Sequence, residues 1–363
     1  GFHHDVGCDA CAYRGVCPGL REPYAERFGT GELTALSKRR RDMDGRPSKR
    51  GTLRRWTVDA VAHARSSDMK VLRLTMRCNQ RCVFCPSDDS SENIVEDTTT
   101  RLRRLARWYG HGVRRLSISG GEPTLAPDLD LVVAGAHRIG FPLIEVVTNG
   151  VRFAEPTILG PLLDAGMNQA TVSLHAHEAN RSQAITCGPS DDFERTLRGL
   201  DALCQSGRAF VFINHVIHAE NATELPDFVR FVAERYRGVP TITFAYMTPL
   251  FRAYERPDLL PAYGDVRPSL LRALDLAQQL HQGVEVLSRP GIPPCILGPA
   301  HLDYSDLARV EHQSVSEDRH KKAKAPGCAS CRFDASCAGV WKAYEALHGL
   351  ADLKPVPRLE EQG

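Results

Sequence analysis

Six short apolar runs recur between residues 71 and 247, and helical spacing fills the intervals between them. The runs are 71–76 (VLRLTM), 113–119 (VRRLSIS), 143–148 (LIEVVT), 169–174 (QATVSL), 209–217 (AFVFINHVI) and 241–247 (TITFAYM). Brief runs of this kind, bounded by turn-forming residues, predict strands. The stretches 98–110, 128–139, 155–165, 191–206 and 222–236 predict helices, and another follows at 266–282. Strands separated by helical crossovers pair in parallel. Right-handed crossovers then give either an open doubly wound sheet or a full or partial barrel, and periodicity does not choose between them. Residues 38–55 read as a basic, turn-rich linker, and 283–363 is Pro-, Gly- and Cys-rich with little regular pattern before 340–348.

Composition narrows the class. A chain of 363 residues suggests two to three domains, or one large barrel with extensions. With 42% hydrophobic and 25% charged residues it is neither disordered nor collagen-like. No apolar stretch approaches the ~18 residues of a membrane span, and no secretion signal opens the chain, so a cytoplasmic protein is expected. Gly1 in place of an initiating Met points to a trimmed or processed chain. The net charge of +2 argues against a nucleic-acid binder, and the basic linker lacks the interleaved aromatics of a base-stacking groove.

The 12 cysteines carry the chemistry. Nine fall in three tight triplets: Cys8, Cys11 and Cys17; Cys78, Cys82 and Cys85; Cys328, Cys331 and Cys337. Without a secretion signal, such spacing favours metal or iron–sulfur ligation over disulfides. A shift of 320 positions carries the first triplet onto the third. The same shift places Gly19, Tyr24 and Gly29 on Gly339, Tyr344 and Gly349. Each end thus repeats Cys-x2-Cys-x5-Cys-x-Gly followed by a short helix. The central Cys78-x3-Cys82-x2-Cys85 loop follows the first strand. Three thiolates can hold three irons of a [4Fe–4S] cluster and leave the fourth iron open. Zinc is the alternative, though it more often takes two Cys pairs or Cys with His.

With this loop the sequence resembles the radical S-adenosylmethionine (SAM) enzymes over roughly residues 70–250. Gly120-Gly121-Glu122-Pro123 follows the second strand, Thr148-Asn149-Gly150 the third and SLHAH (173–177) begins at the end of the fourth, all as in that family. The resemblance implies a partial (β/α)6 TIM-type barrel with Cys-rich N- and C-terminal iron–sulfur extensions. Its parts would be 1–37 for an N-terminal auxiliary cluster, 38–69 for the linker, 70–250 for the barrel and 251–363 for the C-terminal extension. It also implies that a reduced cluster splits SAM to a 5′-deoxyadenosyl radical, which takes hydrogen from an unactivated carbon.

By the same resemblance, Cys78, Cys82 and Cys85 bind iron and Phe84 lies beside the adenine. Gly120, Gly121, Glu122 and Pro123 lie near the SAM amino group, with Thr148 and Asn149 close by. Ser173 and Asn214 are candidates for ribose and carboxylate contacts, and Tyr246 and Met247 for flanking the adenine. Cys295, Cys328, Cys331 and Cys337 form a four-ligand set resembling SPASM and twitch extensions, although no Cys follows Cys337 at the SPASM spacing. Cys8, Cys11 and Cys17 suggest a third cluster, whose fourth ligand is Cys187, Cys204 or a nearby His, or is absent, leaving an iron free for substrate. His175 is a candidate for proton transfer or substrate contact, with a hydrogen-bonded structural role as the favoured reading. The implied partners are a one-electron reductant such as flavodoxin or ferredoxin, and a substrate. Family analogy favours maturation of a ribosomal peptide or other natural product over a sugar, nucleoside or cofactor precursor. A non-catalytic iron–sulfur carrier would explain the triplets but not the ordered motifs.

Overall fold

The structure is a computed structural model. It describes residues 2–3, 20–21, 69–87, 96–237, 239–289, 291–309 and 320–358. The chain divides into two compact units, Gly1–Asp59 and Ala60–Gly363, and the division falls within the 38–69 stretch.

Seven parallel strands in sequential order form the main sheet. They are β1 (Met69–Arg73), β2 (Arg115–Ser119), β3 (Leu143–Thr148), β4 (Gln169–Ser173), β5 (Phe210–Ile217), β6 (Thr241–Tyr246) and β7 (Val284–Val286). The order resolves the choice that periodicity leaves open. A doubly wound sheet must reverse its strand order, whereas unbroken order with right-handed crossovers keeps every helix on one face and curls the sheet. Among the described residues β1 and β7 do not pair, so the barrel is partial.

The helices between strands are α1 (Thr98–Gly110), α2 (Leu129–Ile139), α3 (Pro156–Ala165), α4 (Ala179–Thr186), α5 (Asp192–Ser206), α6 (Leu225–Tyr236) and α7 (Tyr263–Gln279). Asp97 caps α1 by accepting the Thr100 N–H. Gly140 and Gly166 end α2 and α3 at φ +110° and +112°, a backbone that glycine adopts without strain. Along β5 buried and half-buried residues alternate strictly. The buried set faces helices: the His215 ring lies 4.0 Å from Phe228 of α6. The half-buried set, including Asn214, therefore lines the concave face.

Beyond β7 come α8 (Pro294–Leu297), α9 (Asp306–Arg309), β8 (Lys322–Ala323), β9 (Val340–Trp341) and α10 (Lys342–His348). β8 and β9 pair antiparallel, Lys322 with Trp341 and Ala323 with Val340. In the first unit Phe2 pairs with Arg21 and His3 with Leu20, also antiparallel. The 320-position shift of the cysteine repeat carries one ladder onto the other in the same register.

Two elements depart from the six-strand expectation. The seventh strand, β7, has three residues and is too short to show a period. Helix α4 has eight residues and mixes Ser, Thr, Asn and Gln, so its apolar stripe is weak. Among the described residues, no helix is long and apolar enough to cross a membrane.

Candidate active site

The cysteine loop is fixed from one side by the segment after β2. Leu74 donates its N–H to Ser119 O at 2.9 Å, so pairing continues past the end of β1. Gly121 N then donates to Thr75 O at 2.7 Å, and Glu122 N to Arg77 O at 2.8 Å. The backbones touch here, which explains the two glycines. A Cβ on Gly120 would lie 2.3 Å from Thr75 O, and one on Gly121 would lie 2.4 Å from Arg77 O.

Glu122 is 1% exposed and joins this segment to the one after β3. Its Oε1 accepts from Thr124 N at 3.0 Å, Thr124 Oγ1 at 2.6 Å and Thr148 Oγ1 at 2.7 Å. Its Oε2 accepts from Asn149 N at 2.8 Å. Burial pushes its carboxyl above the ordinary value, and these four donors oppose the rise. Asn149 Nδ2 in turn donates to Asn79 Oδ1, inside the cysteine loop, at 2.7 Å. The other side of the loop rests on α4, whose end accepts N–H groups from Arg81 (to Thr186 O) and Val83 (to Ile185 O), both at 2.9 Å. Gln80 Nε2 donates to Asp192 Oδ2, in the first turn of α5, at 2.9 Å. Segments after three successive strands therefore converge on one short loop at the barrel's C-terminal end, where active sites of such barrels gather.

Cys78 feels the charge of Cys85, and Cys82 feels those of Cys85 and Cys78. Burial pushes the Cys78 thiol up to about 11 and the Cys82 thiol further. Residues 72–232 match the Radical SAM superfamily model. The matched segment is a radical SAM domain.

Relatives of this chain include a probable GTP 3′,8-cyclase of Methanopyrus kandleri, 32% identical over 207 residues, 55% of this chain and 64% of that protein. GTP 3′,8-cyclase 2 of Mycobacterium tuberculosis is 34% identical over 177 residues, 47% of this chain and 48% of that protein. The chain spans between 48% and 64% of the length of these curated relatives. Among solved structures, SuiB of Streptococcus suis bound to precursor peptide SuiA has a TM-score of 0.50 at 18% identity, covering 64% of this chain and 52% of that one. The enzyme anSMEcpe with bound AdoMet and Kp18Cys peptide has a TM-score of 0.50 at 14% identity, covering 60% and 63%. At these identities the likeness is one of fold.

A radical SAM domain implies a [4Fe–4S] cluster and SAM, and the donor set suits a cluster better than zinc. Three thiolates on one short loop leave a tetrahedral zinc one protein ligand short. A four-iron cluster spreads its ligands over separate irons.

The radical SAM domain places the other sequence-predicted residues unevenly. Ser173 and Asn214 are register partners across β4 and β5, and Asn214 is in turn level with Thr243. Ser173 and Asn214 are half-buried on the concave face. Tyr246 is three residues beyond Thr243 and so has the opposite parity. It and Met247 are buried in the core, the Tyr246 ring 4.9 Å from Tyr263 of α7. Phe84 is also buried, edge-on to His175 at 4.6 Å and stacked on His218 at 5.2 Å. His175 Nδ1 accepts the Val216 N–H at 3.1 Å, which ties the segment after β4 to β5, and burial lowers its pKa to about 3. Pro123 is buried and opens a 3₁₀ turn capped by Glu122. Cys187 caps α4 at φ +49°, exposed and close enough to Cys82 to influence its titration. Cys8, Cys11 and Cys17 lie outside the described residues.

Cys295, Cys328, Cys331 and Cys337 line one shared cavity. Cys331 joins Leu307, Phe333 and Val356 in a small separate core against which Cys295 and Cys337 pack. Tyr344 anchors this unit by accepting the Tyr263 N–H and donating to Asp352 Oδ2, both at 3.0 Å. Sequence reasoning missed Asn79, Gln80, Asp192 and His218. Only the position of Asn79 and Gln80 inside the cysteine triplet pointed to the first two.

Proposed function

We propose that the protein is a radical SAM enzyme, in which Cys78, Cys82 and Cys85 would hold a [4Fe–4S] cluster that leaves one iron free for SAM. When bound and reduced, the pair supplies a 5′-deoxyadenosyl radical that takes a hydrogen atom from the substrate. The observation that carries the reading is the joining of three sequence-distant motifs, CxxxCxxC, GGEP and TNG, by Glu122, Asn149 and Asn79. A simple electron carrier has no need of that assembly.

The chain's residues have two kinds of task. Gly120, Gly121, Glu122, Pro123, Thr148 and Asn149 hold the loop in place. Ser173 and Asn214 present polar groups to the concave face, where SAM ribose or carboxylate would bind. Phe84 closes the loop's inner side against water. Tyr246 and Met247 act at one remove, as core support for the β6 end.

A second [4Fe–4S] cluster is assigned to Cys295, Cys328, Cys331 and Cys337, and their shared cavity supports it. A third is assigned to Cys8, Cys11 and Cys17, supported by the sequence repeat and by the matched strand register at the two ends. Cys187 remains a candidate fourth ligand or substrate contact. Cysteine ligation on this scale suits a reducing compartment, the cytoplasm, with flavodoxin or ferredoxin as electron donor.

The substrate proposed is a peptide or other natural-product precursor. A second reading, a nucleotide used as cofactor precursor, is favoured by one observation: relatives at 32% and 34% identity are named GTP 3′,8-cyclases. Release of 5′-deoxyadenosine from SAM and dithionite, with and without GTP, tests it. Stimulation with formation of a cyclised guanosine product establishes the nucleotide reading, and an unchanged rate leaves the peptide reading. Iron content tests the clusters: about 12 irons per chain are expected, falling to about 8 in a Cys8/Cys11/Cys17→Ala variant.

A further inference from the structure

The cavity that holds the four C-terminal cysteines is closed by the chain's own last described segment. Leu353, Lys354 and Pro355 line it together with the cysteines. Three of the four sulfurs receive backbone N–H groups. Gly339 N donates to Cys337 Sγ at 3.3 Å, and Val356 N to Cys331 Sγ at 3.4 Å. Cys295 accepts from the backbone of Lys354. Two of these donors belong to the strap 353–356, which is pinned by Arg332 N donating to Val356 O at 3.0 Å and by Val356 within the small core.

Gly339 explains part of the cysteine repeat. It has φ +83°, and a Cβ there would lie 2.0 Å from Ala323 O across the β8–β9 ladder. Only glycine lets the chain turn back sharply enough after Cys337 to aim its N–H at that sulfur while the ladder closes. The Cys-x-Gly step is therefore a sulfur-donor device. One cation lies close as well: Lys324 lines the same cavity and pairs with Asp334 at 2.7 Å.

We propose that the strap 353–356, acting with Gly339, sets the reduction potential of the C-terminal cluster. The proposal rests on the four-cysteine cluster assigned above. Reduction adds one negative charge, which spreads onto the sulfurs. N–H dipoles aimed at sulfur stabilise that charge, as does a nearby cation. With three donors in place the cluster accepts an electron more readily than the same four thiolates would without them. That suits a site that takes up the electron left on a substrate after hydrogen abstraction. The strap residues are positioning residues, since they act through the sulfurs.

Proline substitution isolates the effect because it deletes one N–H. Residue 354 precedes Pro355 and is already confined to extended backbone, which proline also adopts. Lys354→Ala removes the exposed side chain and keeps the N–H, so it serves as the control. The full-length protein is reconstituted anaerobically, its iron is counted, and each reduced cluster is followed by EPR during titration with dithionite. Lys354→Pro should move the C-terminal cluster to a more negative midpoint than Lys354→Ala, with equal iron in both. Val356→Pro against Val356→Ala should repeat the shift at Cys331. Equal midpoints within both pairs overturn the proposal. So does selective loss of iron in the proline variants, which would make the strap a holding device rather than a tuning one. Failure of the underlying reading looks different: Cys295→Ala would then leave the iron count and the EPR signals unchanged.

Discussion

Replacing Glu122 separates two roles for the residue, holding the motifs together and contacting SAM. Its carboxylate faces four donors, two of them backbone N–H groups that cannot turn away. In Glu122→Gln the amide oxygen can keep the three donors on the Oε1 side, and the new NH₂ then faces the Asn149 N–H. One bond becomes a donor–donor contact, at a cost of about 1–3 kcal/mol. Glu122→Ala strands both buried N–H groups, and at the same rate per group it costs about 2–6 kcal/mol before any cavity term. Against a total stability of about 5–15 kcal/mol, the Gln variant folds and the Ala variant is marginal. Denaturant unfolding of the anaerobic apoprotein, read by far-UV circular dichroism, measures both. An Ala variant within about 0.5 kcal/mol of wild type would refute the joining role. A Gln variant of unchanged stability but weakened SAM binding would assign Glu122 to the ligand instead.

Other consequences follow from the same packing. His175, His215 and His218 are buried, with pKa lowered to about 3, well below the ordinary value, and to about 4 respectively. The unfolded chain takes up protons near pH 6.5 that the folded chain refuses, so stability is present above pH 6.5 and is lost as pH falls below it. The slope is about 1.4 kcal/mol per pH unit per histidine, or about 4 kcal/mol for all three between pH 7.5 and 5.5; unfolding curves that coincide at the two pH values would contradict it. Gly121→Ala sets a Cβ against two backbone carbonyls at 2.4 and 2.5 Å that cannot swing aside. It should cost about 1–3 kcal/mol or more and lower iron retention by the barrel loop, and full iron retention counts against the close-approach argument. Arg101 is buried between Asp128 at 2.6 Å and Leu74 O at 2.8 Å. Arg101→Met leaves that carboxylate without its cation and should lose about 3–5 kcal/mol in the same unfolding assay, with a loss under about 1 kcal/mol contradicting the reading.

Much of the barrel was legible because strand and helix periods alternate over residues 71–247, and strand centres matched to within a few residues. Period alone left partial barrel and open sheet undecided, because it does not encode strand order; the motif resemblance pointed to the partial barrel that the strand order shows. β7 and α4 escaped for want of length and of an apolar stripe. The motif glycines stood out because backbone contact leaves room for nothing else. Roles within the motifs were harder to read. Glu122 reads as a charged residue near a ligand until its four donors are seen. Tyr246 and Met247 read as strand-end residues free to face a ligand, whereas strand parity turns the Tyr246 ring toward α7. His175 stands at a strand end like a proton carrier, yet its Nδ1 is committed to a backbone N–H. His218 carries no sequence mark; only the fold brings it under Phe84. The repeat was legible as spacing, and the Gly339 bond to Cys337 supplies the physical reason for one of its fixed positions.

The central claim is that the Cys78–Cys85 loop supports reductive cleavage of SAM. The most direct test is to incubate anaerobically reconstituted protein with SAM and dithionite and to quantify 5′-deoxyadenosine and methionine, for wild type and for Cys82→Ala. The account predicts the two products in equal amounts from wild type and neither from the variant. No 5′-deoxyadenosine from a fully iron-loaded wild type, or equal amounts from the two proteins, would contradict it.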